Sequence, residues 1–585
     1  MSTDLDPGAT APRDARTAAL ALARQYVPIL RWGPTYSRAW LRPDLLSALT
    51  SWGVMVPVAL AYAGLAGVPP EVGLTTAFAA MAAYALFGTS RHLKVTVSST
   101  MAIMSASVVA DLAGGDPTAF VTLTAGLALT AGVILVAGGL LRLGFISDFL
   151  AKSVVTGFIF GLAITIIIGQ LPKILGVPGL SGPLPQQVAQ LVSRVPETDP
   201  LTLAVGTTAL VTILVLRRIS RRIPGPLITL ILGIVLTSAL GLTDDLSVVG
   251  DVATGLPSLA IPDVPLSAIP YLILGAAGIV FLAVGESVGA GRAYAVRHGY
   301  DLDTDQELLA LGVANVSSGL FGGFVADASL SQTATAEASG AKTQLASLVT
   351  AGLVLATAIF LAPLFQNLPN AVLGAIVIAA VLSLMDVAEL RRYWRWRRTD
   401  LLIALVAMVG VLLTTVLVGM LLAVLLSILF VLYQASRPRI VSIGRMPGVR
   451  AGYGDLSRHP DAEEIGGLLI VRLDAPLYYF NANVAKAQII ALVNACEPPP
   501  EEVLLDIAAT ADLDVTTSDM LFELVRELRG RSVDVSLAQV KGTVRDRLRR
   551  TGLMSEIGAD HIYLSVGSGV TDFEARRPSR PAIGG

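Results

Sequence analysis

Gly322-Gly323-Phe324-Val325-Ala326-Asp327-Ala328-Ser329-Leu330-Ser331-Gln332-Thr333 leads into an apolar block, 328–340, that is too short to cross a bilayer as one helix. Val95-Thr96-Val97-Ser98-Ser99-Thr100 leads into a second, 98–112. A crossing helix needs about 20 apolar residues, because each adds 1.5 Å and the hydrocarbon core is about 30 Å thick. The two short blocks stand third and tenth in a series of fourteen: 45–66, 70–88, 98–112, 118–140, 152–171, 200–216, 225–242, 270–290, 306–322, 328–340, 345–364, 371–388, 400–415 and 417–434. Divided into two sevens, the series puts both interruptions at equivalent positions. Paired interruptions of this kind point to an inverted-repeat transporter with its site near the midplane. The odd repeat length turns the second half upside down.

Composition agrees with a membrane protein. The 585 residues are 54% hydrophobic and 15% charged, with mean hydropathy +0.69, whereas soluble domains carry about 25% charged residues. The net charge of −2 offers no basic surface for nucleic acid. Cys496 is the single cysteine, which excludes a disulfide framework and a cysteine metal site. No P-loop, paired metal-type histidines or nucleophile elbow is present, so no enzyme, cofactor or metal centre is expected. Residues 1–16 read as a disordered tail without a cleavable signal, and 26–40 as an interfacial segment.

Charge placement sets the orientation. Arg38, Arg42, Arg91, Lys94, Arg142, Lys152, Arg217, Arg218, Arg221, Arg222, Arg292, Arg297, Lys342, the cluster from Arg391 to Arg398, Arg437 and Arg439 all fall in alternate turns. The segment 243–269 on the other side holds four aspartates and no Lys or Arg. The positive-inside rule then places both termini in the cytoplasm. The Trp- and Arg-rich cluster at 391–398 reads as a topogenic and interfacial anchor.

Beyond residue 436 the pattern changes. Residues 437–465 read as a linker, 466–573 as a small cytoplasmic α/β domain of alternating short strands and amphipathic helices, and 574–585 as a disordered tail.

Three acids of the membrane part bear on the expected site. Glu286 lies in an otherwise uncharged block, and a carboxylate at membrane depth normally faces a cavity or a partner; the alternative is a pair with Arg292 near the cytoplasmic end. Asp327 stands at the second break, where it can cap the following helix or serve the site. Glu337 is expected beside Lys342, in a structural or gating role. The free N–H groups at Ser98, Ser99 and Thr100, and at Ala328, Ser329, Leu330 and Ser331, would form two facing anion seats without any Lys or Arg.

Several stretches resemble the sulfate permease (SulP) family. They are Trp40 to Thr50, Val56-Pro57-Val58-Ala59-Leu60-Ala61-Tyr62-Ala63, Gly67 to Leu74, and Gly340-Ala341-Lys342-Thr343-Gln344. The C-terminal domain resembles a STAS domain. The resemblance implies an all-α membrane domain of about 14 spans over 41–436, with a moving core (spans 1–4 and 8–11), a gate (5–7 and 12–14) and a homodimer. The substrate would lie between spans 3 and 10, beside spans 1 and 8, which adds Val58 and Tyr62 to the expected site. The expected function is secondary transport of a sulfate-, bicarbonate- or dicarboxylate-class anion by alternating access. Alternatives are a nucleobase transporter of the same fold, an anion channel, or a membrane-tethered STAS signalling protein.

Three departures from the family pattern bear on mechanism. Val58 stands where a Gln is common, Thr96-Val97 where a Gly-Pro is, and Gln332 where many members carry an Arg. With Asp327 added, the site is less positive than usual, which favours symport with a proton or sodium held by Glu286 or Asp327. In the STAS domain, Thr516 takes the phosphoacceptor position of Asp514-Val515-Thr516-Thr517. It is a candidate for phosphorylation, readable by a cytosolic partner, or simply a helix cap.

Overall fold

A computed structural model describes residues 26–145, 151–180, 182, 184–219, 224–382, 385–414, 416–448 and 452–576. The expected N-terminal tail, Arg221, Arg222 and the last nine residues lie outside the described residues. The chain divides into two compact units at Ser427/Ile428, whereas the sequence pattern changes after residue 436.

A helix lies over each of the fourteen apolar blocks. They are α1 (Leu41–Ala66), α2 (Pro70–Phe87), α3 (Ser99–Ala113), α4 (Pro117–Leu140), α5 (Lys152–Leu175), α6 (Pro200–Ile219), α7 (Gly225–Ala239), α8 (Ile269–His298), α9 (Thr304–Leu320), α10 (Leu330–Ala338), α11 (Leu345–Ala356), α12 (Asn370–Leu382), α13 (Arg398–Leu413) and α14 (Val416–Ala435). Among the described residues, eight helical stretches are long and apolar enough to cross a membrane. The helices fall into two packing groups. In one, α9 packs on α4 and α2, α11 on α2 and α1, and α8 on α4 and α3. In the other, α13 and α12 pack on α5, and α12 and α7 on α6. Helix α1 joins the groups through α7 and α12.

Glycine permits the tightest of these approaches. A Cβ at Gly132 on α4 would lie 2.5 Å from the Val316 nitrogen on α9, and one at Gly312 on α9 would lie 2.5 Å from the Val136 nitrogen on α4. The two backbones are in direct contact, as small residues allow where no hydrophobic drive operates between helices.

The two short helices each follow a short strand, β1 (Val95–Thr96) before α3 and β2 (Asp327–Ala328) before α10. β1 and β2 pair antiparallel, Val95 opposite Ala328 and Thr96 opposite Asp327. Backbone this irregular survives at membrane depth only when it is buried in protein and internally hydrogen-bonded. Asn315 of α9 provides part of that bonding. Its Nδ2 donates to the Ala326 carbonyl at 3.0 Å, and its Oδ1 accepts from the Ala326 N–H at 2.8 Å. Replacing Asn315 with Leu orphans both backbone groups, at about 1–3 kcal/mol each. The expected result is a lower melting temperature in detergent; an unchanged one would show that the break satisfies itself by other means.

The second unit contains a six-stranded sheet in the order β4-β3-β5-β6-β7-β8. Its strands are β3 (Ile440–Arg445), β4 (Tyr453–Asp455), β5 (Leu468–Leu473), β6 (Glu502–Asp506), β7 (Asp534–Ala538) and β8 (Ile562–Tyr563). From β5 to β8 the pairing is parallel, and helices α15 (Ala482–Asn494), α16 (Val515–Arg529), α17 (Gly542–Thr551) and α18 (Val566–Arg576) accompany it. β3 lies inside the stretch expected to be a linker, because Ile440, Val441 and Ser442 pair with β5.

Candidate functional site

The β1/β2 crossing aims the N-termini of α3 and α10 into one cavity of about 380 Å³. Ser98 and Ser329 occupy the two N-cap positions with extended backbone, and neither side chain caps its helix. The unsatisfied N–H groups of both first turns therefore remain available, and each helix end carries the positive pole of its dipole. Ser98, Ser99 and Thr100 line the cavity on one side, and Ala328, Ser329, Leu330 and Ser331 on the other. Tyr62 of α1 and Glu286 of α8 complete this wall. Val155 and Ile159 of α5 add apolar lining, and Lys152 and Arg292 also line the cavity.

Two residues expected at the site are turned away from it. Val58 and Gln332 are buried, at 5% and 0% exposure, but are not among the lining residues. For Gln332 the reason is helical phase. Thr333 and Ala336 share its buried side of α10, where Thr333 accepts the Lys94 N–H and the Ala336 carbonyl accepts the Ser47 hydroxyl.

Asp327 does not cap α10. It lies in β2, two residues ahead of the N-cap Ser329, and its Oδ1 accepts the Ser287 hydroxyl of α8. The same Ser287 oxygen accepts the Ala328 N–H at 3.1 Å. Ser287 thereby ties α8 to the crossing, with Asp327 fully buried and within reach of the Glu286 carboxyl one residue along. Two carboxyl groups thus meet beside two positive helix ends. Ser287 and Asn315 carry this arrangement and were missed by the sequence reading, since a serine and an asparagine inside apolar helices look like packing residues until their partners are known.

Glu337 pairs with Arg297 at 3.0 Å and His298 at 2.7 Å, not with Lys342, because the end of α8 runs beside the end of α10. Lys94, expected in a solvent-facing turn, is buried at 2% exposure. Asp44 of α1 accepts from the Lys342 and Thr343 N–H groups and the Thr343 hydroxyl, which fixes the turn after α10. In the second unit the cap of α16 is Asp514, which accepts the Thr517 N–H at 2.7 Å. Thr516 is therefore not the cap and stands exposed in the first turn. Among the described residues no cluster of three His, Cys, Asp or Glu could hold a metal ion.

Known proteins share both parts of the chain. The model of the sulfate permease family matches residues 41–407, and that of the STAS domain matches 459–569. A probable sulfate transporter of Mycobacterium tuberculosis is 35% identical over 542 residues, covering 92% of this chain and 97% of that protein. Probable sulfate transporter 3.4 of Arabidopsis thaliana is 31% identical over 573 residues, covering 94% and 87%. Among solved structures, the murine anion transporter Slc26a9 in its inward-facing state superposes with a TM-score of 0.87 at 22% identity, covering 98% of this chain and 97% of that one. The transmembrane domain of the cyanobacterial bicarbonate transporter BicA superposes with a TM-score of 0.59 at 24% identity, covering 67% and 98%. With its helical membrane domain matched over residues 41–407 and its C-terminal sheet domain over 459–569, this multi-pass membrane protein belongs to the sulfate permease family and ends in a STAS domain.

Proposed function

We propose that the chain is a proton-coupled symporter of sulfate-class anions that works by alternating access. The observation that carries this reading is the meeting of Glu286 and Asp327 beside the two uncapped helix ends. The helix ends offer N–H donors and partial positive charge to an anion. Two carboxyl groups that share a desolvated site do not both ionise readily, so the pair can carry one proton along with the anion. The match to relatives named as sulfate transporters supports the substrate class. Alternate exposure would come from movement of the α1–α4/α8–α11 group against the α5–α7/α12–α14 group, with the seat carried by the former.

Uptake by proteoliposomes tests this reading. Sulfate, bicarbonate, chloride and a dicarboxylate are each offered under an inward proton gradient, an inward sodium gradient, or neither. Sulfate accumulation above equilibrium is expected with the proton gradient only. Accumulation driven by sodium, or downhill flux alone under every gradient, would overturn proton symport.

The positive-inside rule puts Lys152 and Arg292, both lining this cavity, on the cytoplasmic side. In a Cys496→Ser background, a cysteine at Thr254 should react with an impermeant maleimide on intact cells, whereas one at Glu464 should react only after permeabilisation. Equal labelling of both on intact cells would overturn the even span count, and labelling at 464 alone would reverse the orientation.

A further inference from the structure

Helix α5 carries one face past the cavity to its far end. Val155 and Ile159 line the cavity, and Ile166, Gln170 and Lys173 continue the same side of the helix. Lys173 follows Val155 by 18 residues, which is about five full turns and about 27 Å along the axis. With Lys152 on the cytoplasmic side, Lys173 stands at the outer end.

Beyond Ile159 this face is shut. Ile166 and Gln170 are 2% and 5% exposed, and Ile166 belongs to the same apolar core as Tyr62 and Ala63 of α1. At the outer end the Lys173 side chain crosses from α5 towards α1. Its Cβ lies 3.3 Å from the place a Cβ at Gly374 of α12 would take, and its Nζ lies 3.3 Å from the corresponding place at Gly64 of α1. Lys173 therefore lies across the seam between the two packing groups, with α5 and α12 on one side and α1 on the other.

The polar groups of this seam lack partners suited to a closed state. The Gln170 Oε1 is buried without a hydrogen-bond partner. No carboxylate pairs with Lys173 among the described residues, and no acid's field reaches it. Lys152, at the other end of the same helix, is paired with Glu389. An amide oxygen and an ammonium held away from water without such partners oppose the closed seam. Parting α1 from α5 would relieve both and would leave an unneutralised cation on the outer approach to the helix ends.

We propose that Lys173 and Gln170 form an outer entry subsite for the transported anion, hidden in this structure and uncovered when α1 separates from α5. The ammonium draws the anion in. Gln170, one turn earlier on the helix, can hold that ammonium through its Oε1 and offer its amide N–H groups to the same anion. Lys173 belongs to the gate group and the helix ends of α3 and α10 to the other, so the subsite passes the anion on and does not travel with it. The proposal rests on the alternating-access reading, but it does not depend on proton coupling.

The test is sulfate uptake by intact cells that have no sulfate uptake of their own and express the full chain in a Cys496→Ser background. Lys173→Cys should raise the external KM about tenfold, the lower end of what a focused field contributes to association, with little change in maximal rate. The positively charged, impermeant trimethylammonioethyl methanethiosulfonate, added outside, should bring KM back. The negatively charged sulfonatoethyl reagent should not, and a merely structural role would not respond to the sign of the reagent. Should Lys173→Cys fail to fold, Gln170→Glu keeps the lysine and gives it the kind of partner that Lys152 already has, so it too should raise the external KM. Either variant, folded and with the wild-type external KM, would overturn the subsite, as would two reagents that act alike. A wild type without saturable sulfate uptake would overturn the reading of function itself, and the subsite with it.

Discussion

Glu286→Gln should reduce gradient-driven anion uptake to the downhill level while leaving a folded protein. Glutamine keeps the size of the side chain and can still hydrogen-bond towards Asp327, so the packing of α8 against β2 has no reason to change. What disappears is the ability to gain and lose a proton at the cavity wall. Asp327 cannot substitute for it. That carboxyl is fully buried, accepts the Ser287 hydroxyl and does not line the cavity, whereas Glu286 does. Uptake into proteoliposomes with and without an inward proton gradient measures the effect, and size-exclusion behaviour checks the fold. If the folded variant still concentrates its anion with the gradient, Glu286 is not the coupling group.

The second large effect concerns the backbone contact between α4 and α9. Gly312→Val should yield little or no folded protein. Its Cβ would stand 2.5 Å from the Val136 nitrogen and 2.8 Å from the Gly132 carbonyl oxygen. Both are backbone atoms that no side-chain rotation can move aside. Overpacking an ordinary core costs about 1–3 kcal/mol, and a clash that forces two long helices apart also disturbs Asn315, one turn along α9. Gly352→Ala on α11 is the matched control, because nothing lies within 4 Å of its Cβ position. That change should stabilise the protein by about 0.5–1 kcal/mol through the better helix propensity of alanine. The yield of monodisperse protein and its melting temperature read both variants. Equal yields from Gly312→Val and the wild type would mean that the helices part without cost.

Read alone, the chain already separated an apolar helical domain from a C-terminal sheet domain, placed all fourteen apolar blocks, and singled out the two short ones. Those features are local. Apolar run length reports bilayer thickness, and strand and helix periodicities repeat within a few residues, so no distant partner is needed to see them. Glu286 was legible for the same reason, since one carboxylate in an uncharged block stands out against its immediate neighbours. The tertiary structure decided which way the residues at the breaks point. The antiparallel register of Val95 with Ala328 and Thr96 with Asp327 joins segments more than 200 residues apart. That register gives Asp327 to Ser287 instead of to the end of α10. It turns Gln332 away from the cavity and buries Lys94, and the ends of α8 and α10 assign Glu337 to Arg297 and His298. At an interrupted helix no periodicity is long enough to fix a side chain's direction, so direction there follows from pairing, and pairing is settled only when the two halves of the chain meet.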